Sequence, residues 1–187
     1  MTTITQANVL IIATHGFEQS ELEVPRNRLE EAGARVTIAA PEAGQIRGWE
    51  KRDWCRSVPV NVTLNDVDPA DYDALVLPGG QMNPDTLRRN DAALALIRAF
   101  LAAGKPVAAI CHAPWLLIEV DAVRGRDVTS WPTVRKDLEN AGATWIDQPV
   151  VIDGSIMPDL VSGNTNAPAM AIADRAVALM MEGHGAA

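Results

Sequence analysis

The stretch that most restricts how this chain can fold is VAAICHAPWLLIEV, residues 107–120. Val107 to Ile110 make a short continuous apolar run bounded by Gly104, Lys105 and Pro106, which is the pattern of a parallel strand covered on both faces. Pro114 suits the first turn of a helix, where a missing N–H costs nothing, and Trp115, Leu116, Leu117, Ile118 and Val120 supply that helix's apolar body. The chain must therefore reverse next to Cys111, at the kind of sharp strand–turn–helix junction that is often strained. Sulfur at such a junction lies near the free N–H groups and positive end of the helix, which favours thiolate over thiol. Free cysteine is also among the most buried residue types and often only fills space. The coincidence of strand, turn and adjacent His112 points to Cys111 as a nucleophile.

The remaining segments repeat a strand–helix period. Residues 8–14 (NVLIIAT) read as a strand, followed by a turn, a helix ended by Gly33 and a second strand, with Pro25 predicting a kink or restart near Val24. Residues 42–66 change character: Val58, Val60, Val62 and Leu64 alternate among Gly44, Gly48 and Pro59, as in a hairpin excursion. DALVLPGG, residues 73–80, is a third core strand ending in two glycines whose amides could hold an oxyanion, Gly80 and His112 being the expected donors. A helix over 91–103 leads to the Cys111 strand. Beyond it, RDVTS, ATWI and PVVIDG read as strands around a helix in PTVRKDLENAGA. Residues 157–162 predict a last strand, and 167–181 an apolar closing helix. This alternation predicts one domain over 1–187, an open doubly wound parallel sheet with helices on both faces. Three loops at strand ends, Thr14 to Glu18, Gly79 to Asp85 and Cys111 with His112, could then meet in one pocket.

Composition narrows the partners. At 187 residues, 20.1 kDa and a net charge of −8, the chain has no Lys/Arg stripe for tracking phosphates, which argues against nucleic acid and anionic membranes. Two cysteines and three scattered histidines form neither a disulfide framework nor a metal-ligand spacing, so no metal or cofactor is expected. No apolar run approaches the ~20 residues of a membrane span, and residues 1–7 do not resemble a signal peptide. Cytosol is the expected compartment.

LVLPGG with a PD segment after it, GKPVAAICHAPWLLI, RGRDVTSWPTVRKDLENAGATW and PVVIDG together resemble the PfpI family of intracellular proteases and deglycases, within the ThiJ/PfpI superfamily. The resemblance runs over nearly the whole chain. It implies a flavodoxin-like sandwich related to class I glutamine amidotransferases, working as a dimer or higher oligomer, with Cys111 as nucleophile and His112 beside it. It also carries a glutamate onto Glu18, expected to stay protonated and donate to the Cys111 thiolate, because two close carboxylate-like charges cannot both ionise cheaply. An acid after LPGG maps to Asp85, reaching His112 from a neighbouring subunit. His15 and Ala113 are possible pocket residues. Ala113 stands where the family usually has glycine, and SGNTNAPAM replaces a usual SRxPDDLPAF-like segment.

The reading this supports first is a cofactor-free enzyme whose Cys111 thiolate adds to reactive carbonyls, methylglyoxal or an early glycation adduct on protein. Peptide hydrolysis of the PfpI type is a second reading. A non-enzymatic oxidative-stress sensor or holdase is the third. Cys55 reads as a bystander thiol, and Trp115, Trp131 and Trp145 as core or subunit contacts.

Overall fold

The computed structural model describes residues 4–159. The expected end of the last strand, the 163–170 segment, the 167–181 helix and His184 lie outside the described residues. In chain order the elements are β1 (Asn8–Ile12), α1 (Gln19–Glu31), β2 (Arg35–Ala40), β3 (Gln45–Glu50), β4 (Asp53–Pro59) and β5 (Val62–Thr63). They continue with β6 (Ala74–Leu77), α2 (Met82–Leu87), α3 (Asp91–Ala102), β7 (Val107–Ile110) and α4 (Pro114–Glu119). The last are β8 (Asp127–Val128), α5 (Arg135–Asn140), β9 (Thr144–Trp145) and β10 (Ile156–Asp159).

Six strands form one sheet in the order β10-β7-β6-β1-β2-β5, and every pairing in it is parallel. From β1 the chain goes out to β2, then returns to the other side of β1 at β6 and continues to β7. The winding therefore reverses between β1 and β6, where open parallel sheets place their ligand crevice, beyond the carboxyl ends of the strands.

Each central strand is apolar on both faces because helices cover both. Val9, Ile11, Val76, Ala108 and Ile110 join a cluster with Leu22 and Leu29 of α1 and with Ile46 and Val58 of the β3–β4 hairpin. Leu10, Ile12, Leu75, Leu77, Val107 and Ala109 point the other way, onto α3, α4 and α5 through Phe100, Leu116 and Leu138. The side-chain period of two explains this sorting, and it sends Ile110 to the α1 face.

The excursion expected over 42–66 is an antiparallel hairpin with a register shift between Arg47 and Trp49, and Trp49 and Trp54 meet edge to face with ring centroids 5.5 Å apart. Two expectations need correction. The restart offered near Val24 is absent: α1 runs unbroken through Pro25, whose ring lies on the buried face with Leu22 and Leu29. PVVIDG is not a strand, because Asp153 turns the chain back onto Ile156 and its carboxylate and carbonyl are held by Arg126 and by the Asp127 amide. Likewise, among the described residues, β8 and β9 pair only with each other, outside the main sheet.

Phe100 is among the largest fully buried side chains and sits where α3 meets β6 and β7. Phe100→Ala is expected to lower unfolding stability by about 3–5 kcal/mol through cavity formation, read as a reduced urea midpoint with an unchanged slope.

Candidate active site

The sharp turn predicted at Cys111 is present. β7 stops at Ile110, Cys111 takes φ of 60°, and the Ala113 amide closes the turn onto the Ile110 carbonyl at 2.8 Å. A left-handed backbone at a non-glycine residue costs about 1–2 kcal/mol and persists only where its surroundings hold it. Here the Trp131 N–H donates to the Cys111 carbonyl at 2.9 Å. Gly79 closes the other side: a methyl there would lie 2.5 Å from the Ile110 carbonyl oxygen, 2.5 Å from Glu21 Oε2 and 2.7 Å from Cys111 Cβ. Only glycine fits, and so the LPGG loop can rest against the elbow.

The carboxyl partner of the sulfur is Glu21, and the expectation for Glu18 is corrected. Glu21 is wholly buried on the inner face of α1, its Oε2 accepts the Gly79 N–H at 2.9 Å, and its charge pushes the Cys111 thiol up. Glu18 sits one turn earlier, at the N-cap position of α1, where its side chain caps no amide and its backbone bridges to Trp49 of the hairpin. Its carboxyl is pushed up to about 7, first by burial and then by the neighbouring Glu50 carboxylate. Glu18 thus has the raised pKa expected of a site acid, from causes unconnected to the sulfur.

Cys111 itself is 7% exposed. Burial pushes its thiol up most, the Glu21 charge adds to this, and N–H groups of Gly80 and His112 directed at the sulfur pull the other way. Burial and the Glu21 charge thus work against the expected resting thiolate, and the two N–H groups work for it. The helix beyond the turn, α4, is six residues long, and burial beside a carboxylate outweighs its dipole. The Gly80 and His112 amides, expected to hold a substrate oxyanion, are directed at Sγ.

His112 is 9% exposed, with its ring 5.0 Å from that of Trp115 and stacked 6.2 Å from that of Trp131. Burial pulls its pKa down, so the imidazole is neutral, and its buried Nδ1 has no hydrogen-bond partner among the described residues. Asp85 is exposed on α2. Ala113 adopts ordinary right-handed angles, φ −59° and ψ −24°, and is wholly buried on the α3–α5 face, so its methyl neither strains the elbow nor lines a pocket beside the sulfur. His15 lies in a different place: it lines a cleft of about 280 Å³ with Ala40, Glu42 and Thr86 at the ends of β1 and β2, and its Nδ1 accepts the Arg47 N–H at 3.0 Å. Cys55 is on the hairpin, donating to Glu50 at 3.4 Å. Among the described residues no group of His, Cys, Asp and Glu could hold a metal, and no helix is long and apolar enough to cross a membrane.

A parallel flavodoxin-like sheet with a positive-φ cysteine at the end of its β7 strand, met by a buried glutamate from the helix after β1, defines a cysteine-elbow α/β protein. The chain belongs to the DJ-1/PfpI family, whose profile matches residues 7–178. It is 44% identical over 147 residues to the deglycase PfpI of Pyrococcus furiosus, covering 79% of this chain and 86% of the relative. Among solved structures it is similar to Drosophila melanogaster DJ-1beta, with a TM-score of 0.80 and 26% identity over 97% of this chain and 95% of that one. A two-domain protein from Anabaena variabilis, containing DJ-1/ThiJ/PfpI-like and ferritin-like domains, matches with a TM-score of 0.83 and 32% identity. That match covers 91% of this chain and 48% of the Anabaena chain, so this chain spans about half of the two-domain protein.

The Glu18 carboxyl sets a pH-dependent stability. Its folded value near 7 lies above the ordinary 4.5, so the folded state binds the proton more tightly. The penalty is present above pH 7 and is relieved as pH falls from 7 toward 4.5. Glu18→Gln is therefore expected to raise the thermal midpoint at pH 8 and leave it nearly unchanged at pH 5. With a half-exposed carboxyl screened by solvent, the gain is on the order of 1 kcal/mol.

Proposed function

We propose that this chain is a cofactor-free deglycase-type hydrolase in which Cys111 attacks small reactive carbonyls. The observation that carries the reading is a wholly buried Glu21 whose Oε2 takes the Gly79 N–H at 2.9 Å, beside a buried Cys111 held at a left-handed turn. The name of the Pyrococcus furiosus relative supports the same class. A sulfur only 7% exposed, under a glycine loop, suits the carbon of a small aldehyde better than a peptide bond in an extended chain.

The chemistry follows from one proton shared between two acids. At rest the proton is on sulfur. Glu21 takes it as the thiolate adds to the aldehyde carbon of methylglyoxal, and Glu21 returns it to the new oxygen, giving a hemithioacetal. Glu21 then removes the proton from that carbon and delivers it to the adjacent one, while the hydroxyl proton passes to the former ketone oxygen, so the ketone becomes an alcohol and the thiol carbon a thioester. Water hydrolyses the thioester to lactate and frees the thiol, with neutral His112 as base. For a glycated amine or thiol the same sequence expels the repaired group when sulfur takes its place.

His112 needs a partner that orients its ring. The exposed Asp85 of a second copy would supply it across a homodimer, completing a Cys111–His112–Asp85 set from two chains. Cys111→Ala is expected to abolish lactate release from methylglyoxal and from methylglyoxal-treated peptides, against a buffer-thiol control. Glu21→Gln should lower kcat by about 10²–10⁴, while Glu18→Gln should stay within a few-fold of wild type. Asp85→Asn should lower kcat without shifting the thermal midpoint. Full turnover by Cys111→Ala would end this reading, and full activity in a strictly monomeric preparation would remove the shared site.

A further inference from the structure

We infer that Asn83 is a positioning residue that sets the geometry of the Cys111 sulfur from behind both of its partners. Asn83 stands on α2 and is wholly buried. Its Oδ1 accepts the Thr14 N–H at 2.7 Å, and its Nδ2 donates to the Pro78 carbonyl at 2.7 Å and to the Gly79 carbonyl at 3.2 Å. Thr14 lies just past β1, and Pro78 and Gly79 lie just past β6. One side chain thus ties the two strand ends together at the point where the sheet reverses its winding, beyond the last rungs of the β1–β6 ladder.

The two tied segments carry the two groups that meet the sulfur. From Thr14 the chain runs through Gly16 and Phe17 into α1 and Glu21; from Gly79 it runs to Gly80, whose N–H is directed at Sγ. The segments are packed against each other without slack. The Glu18 N–H donates to the Gly79 carbonyl at 3.4 Å, and a methyl on Gly80 would lie 2.6 Å from the Gly16 carbonyl oxygen and 2.7 Å from the Glu18 nitrogen. The Gly79 N–H in turn donates to Glu21. A continuous chain of hydrogen bonds, Thr14–Asn83–Gly79–Glu21, therefore ends on the carboxyl that Gly79 holds against the Cys111 turn.

The chemistry of the amide is what the position requires. One partner is an N–H donor and two are carbonyl acceptors, so a side chain with one acceptor and one NH₂ group satisfies all three. Aspartate would keep the bond to Thr14 and set a carboxylate oxygen against two carbonyls. Alanine would leave the Thr14 amide and the Pro78 carbonyl buried without partners. Either change releases the Gly79–Gly80 backbone, and with it the N–H that lowers the sulfur's pKa.

The inference rests on Cys111 being the reacting atom, and its test is independent of the substrate. In a Cys55→Ser background, the rate of Cys111 alkylation by iodoacetamide is followed against pH for wild type, Asn83→Asp and Asn83→Ala. Both Asn83 variants are expected to shift the inflection upward by about half a pH unit or more, as the Gly80 N–H leaves the sulfur. They should also lower kcat for methylglyoxal about tenfold or more, with KM within about twofold, since a misplacement of an ångström can cost on the order of 10². In a Glu21→Gln background the further fall in kcat from Asn83→Asp should largely disappear, because Asn83 acts partly through Glu21. Folded variants with the wild-type inflection would overturn the inference, and so would loss of folding in both, which would make Asn83 a purely structural residue. A shifted inflection in the Asn83 variants, with no deglycase turnover by the wild-type protein, would retain the inference and reject the proposed reaction.

Discussion

The structure depends on how closely the Gly79 backbone approaches the Cys111 turn. Parallel strands β6 and β7 bring their carboxyl ends side by side, and the space between the next residues of each is too small for any side chain on Gly79. Into that narrow join the Glu21 carboxylate reaches from α1 and takes the Gly79 N–H. A positive φ at Cys111 would be unfavourable in an isolated chain. It holds because the Trp131 amide fixes the Cys111 carbonyl, the Ala113 amide fixes that of Ile110, and Gly79 blocks relaxation toward β6.

Two carboxyls near the site show how similar perturbations have different consequences. Glu18 is raised by burial and by a like charge on Glu50, at the junction of α1 and the hairpin. The Cys111 thiol is raised by burial and by the Glu21 charge beside it. The first arrangement affects stability against pH. The second acts on the sulfur, where the N–H groups of Gly80 and His112 favour negative charge while burial and Glu21 oppose it. A buried thiol is therefore compatible with nucleophilic chemistry here, provided Glu21 removes the proton in the same step.

Local pattern was enough to read the elbow, the parallel sheet and the hairpin excursion. Val107 to Ile110, the two glycines after Leu77 and the proline at 114 act within a few residues of where they stand. The acid was harder, because GFEQSELE offers three glutamates and only the phase of the helix separates them. Glu21, Pro25 and Leu29 fall at i, i+4 and i+8, so Glu21 lies on the stripe that α1 turns to the core, while Glu18 precedes the helix. That spacing was available in the sequence and would have singled out Glu21. Asn83 had no such signal: its partners are 69 and 4–5 residues away, and only the sheet order brings Thr14 beside Pro78. The turn at Asp153 was hidden for the same reason, since PVVIDG has strand composition and the Arg126 that holds it is distant in sequence.

The turn at Cys111 also divides the site between the two faces of the sheet. Strand alternation sends Ala109 to the α3–α5 face and Ile110 to the α1 face, and an unbroken strand would carry residue 111 back to the first of these. The left-handed step cancels that alternation, so Cys111 stays on the α1 face where Glu21 waits, and Ala113 falls on the opposite face. The family's usual glycine after Cys-His is thus replaced at a point where right-handed angles and apolar packing accept a methyl group. The substitution leaves the surroundings of Cys111 intact, because the backbone strain of the elbow is concentrated one residue before His112, at the cysteine itself.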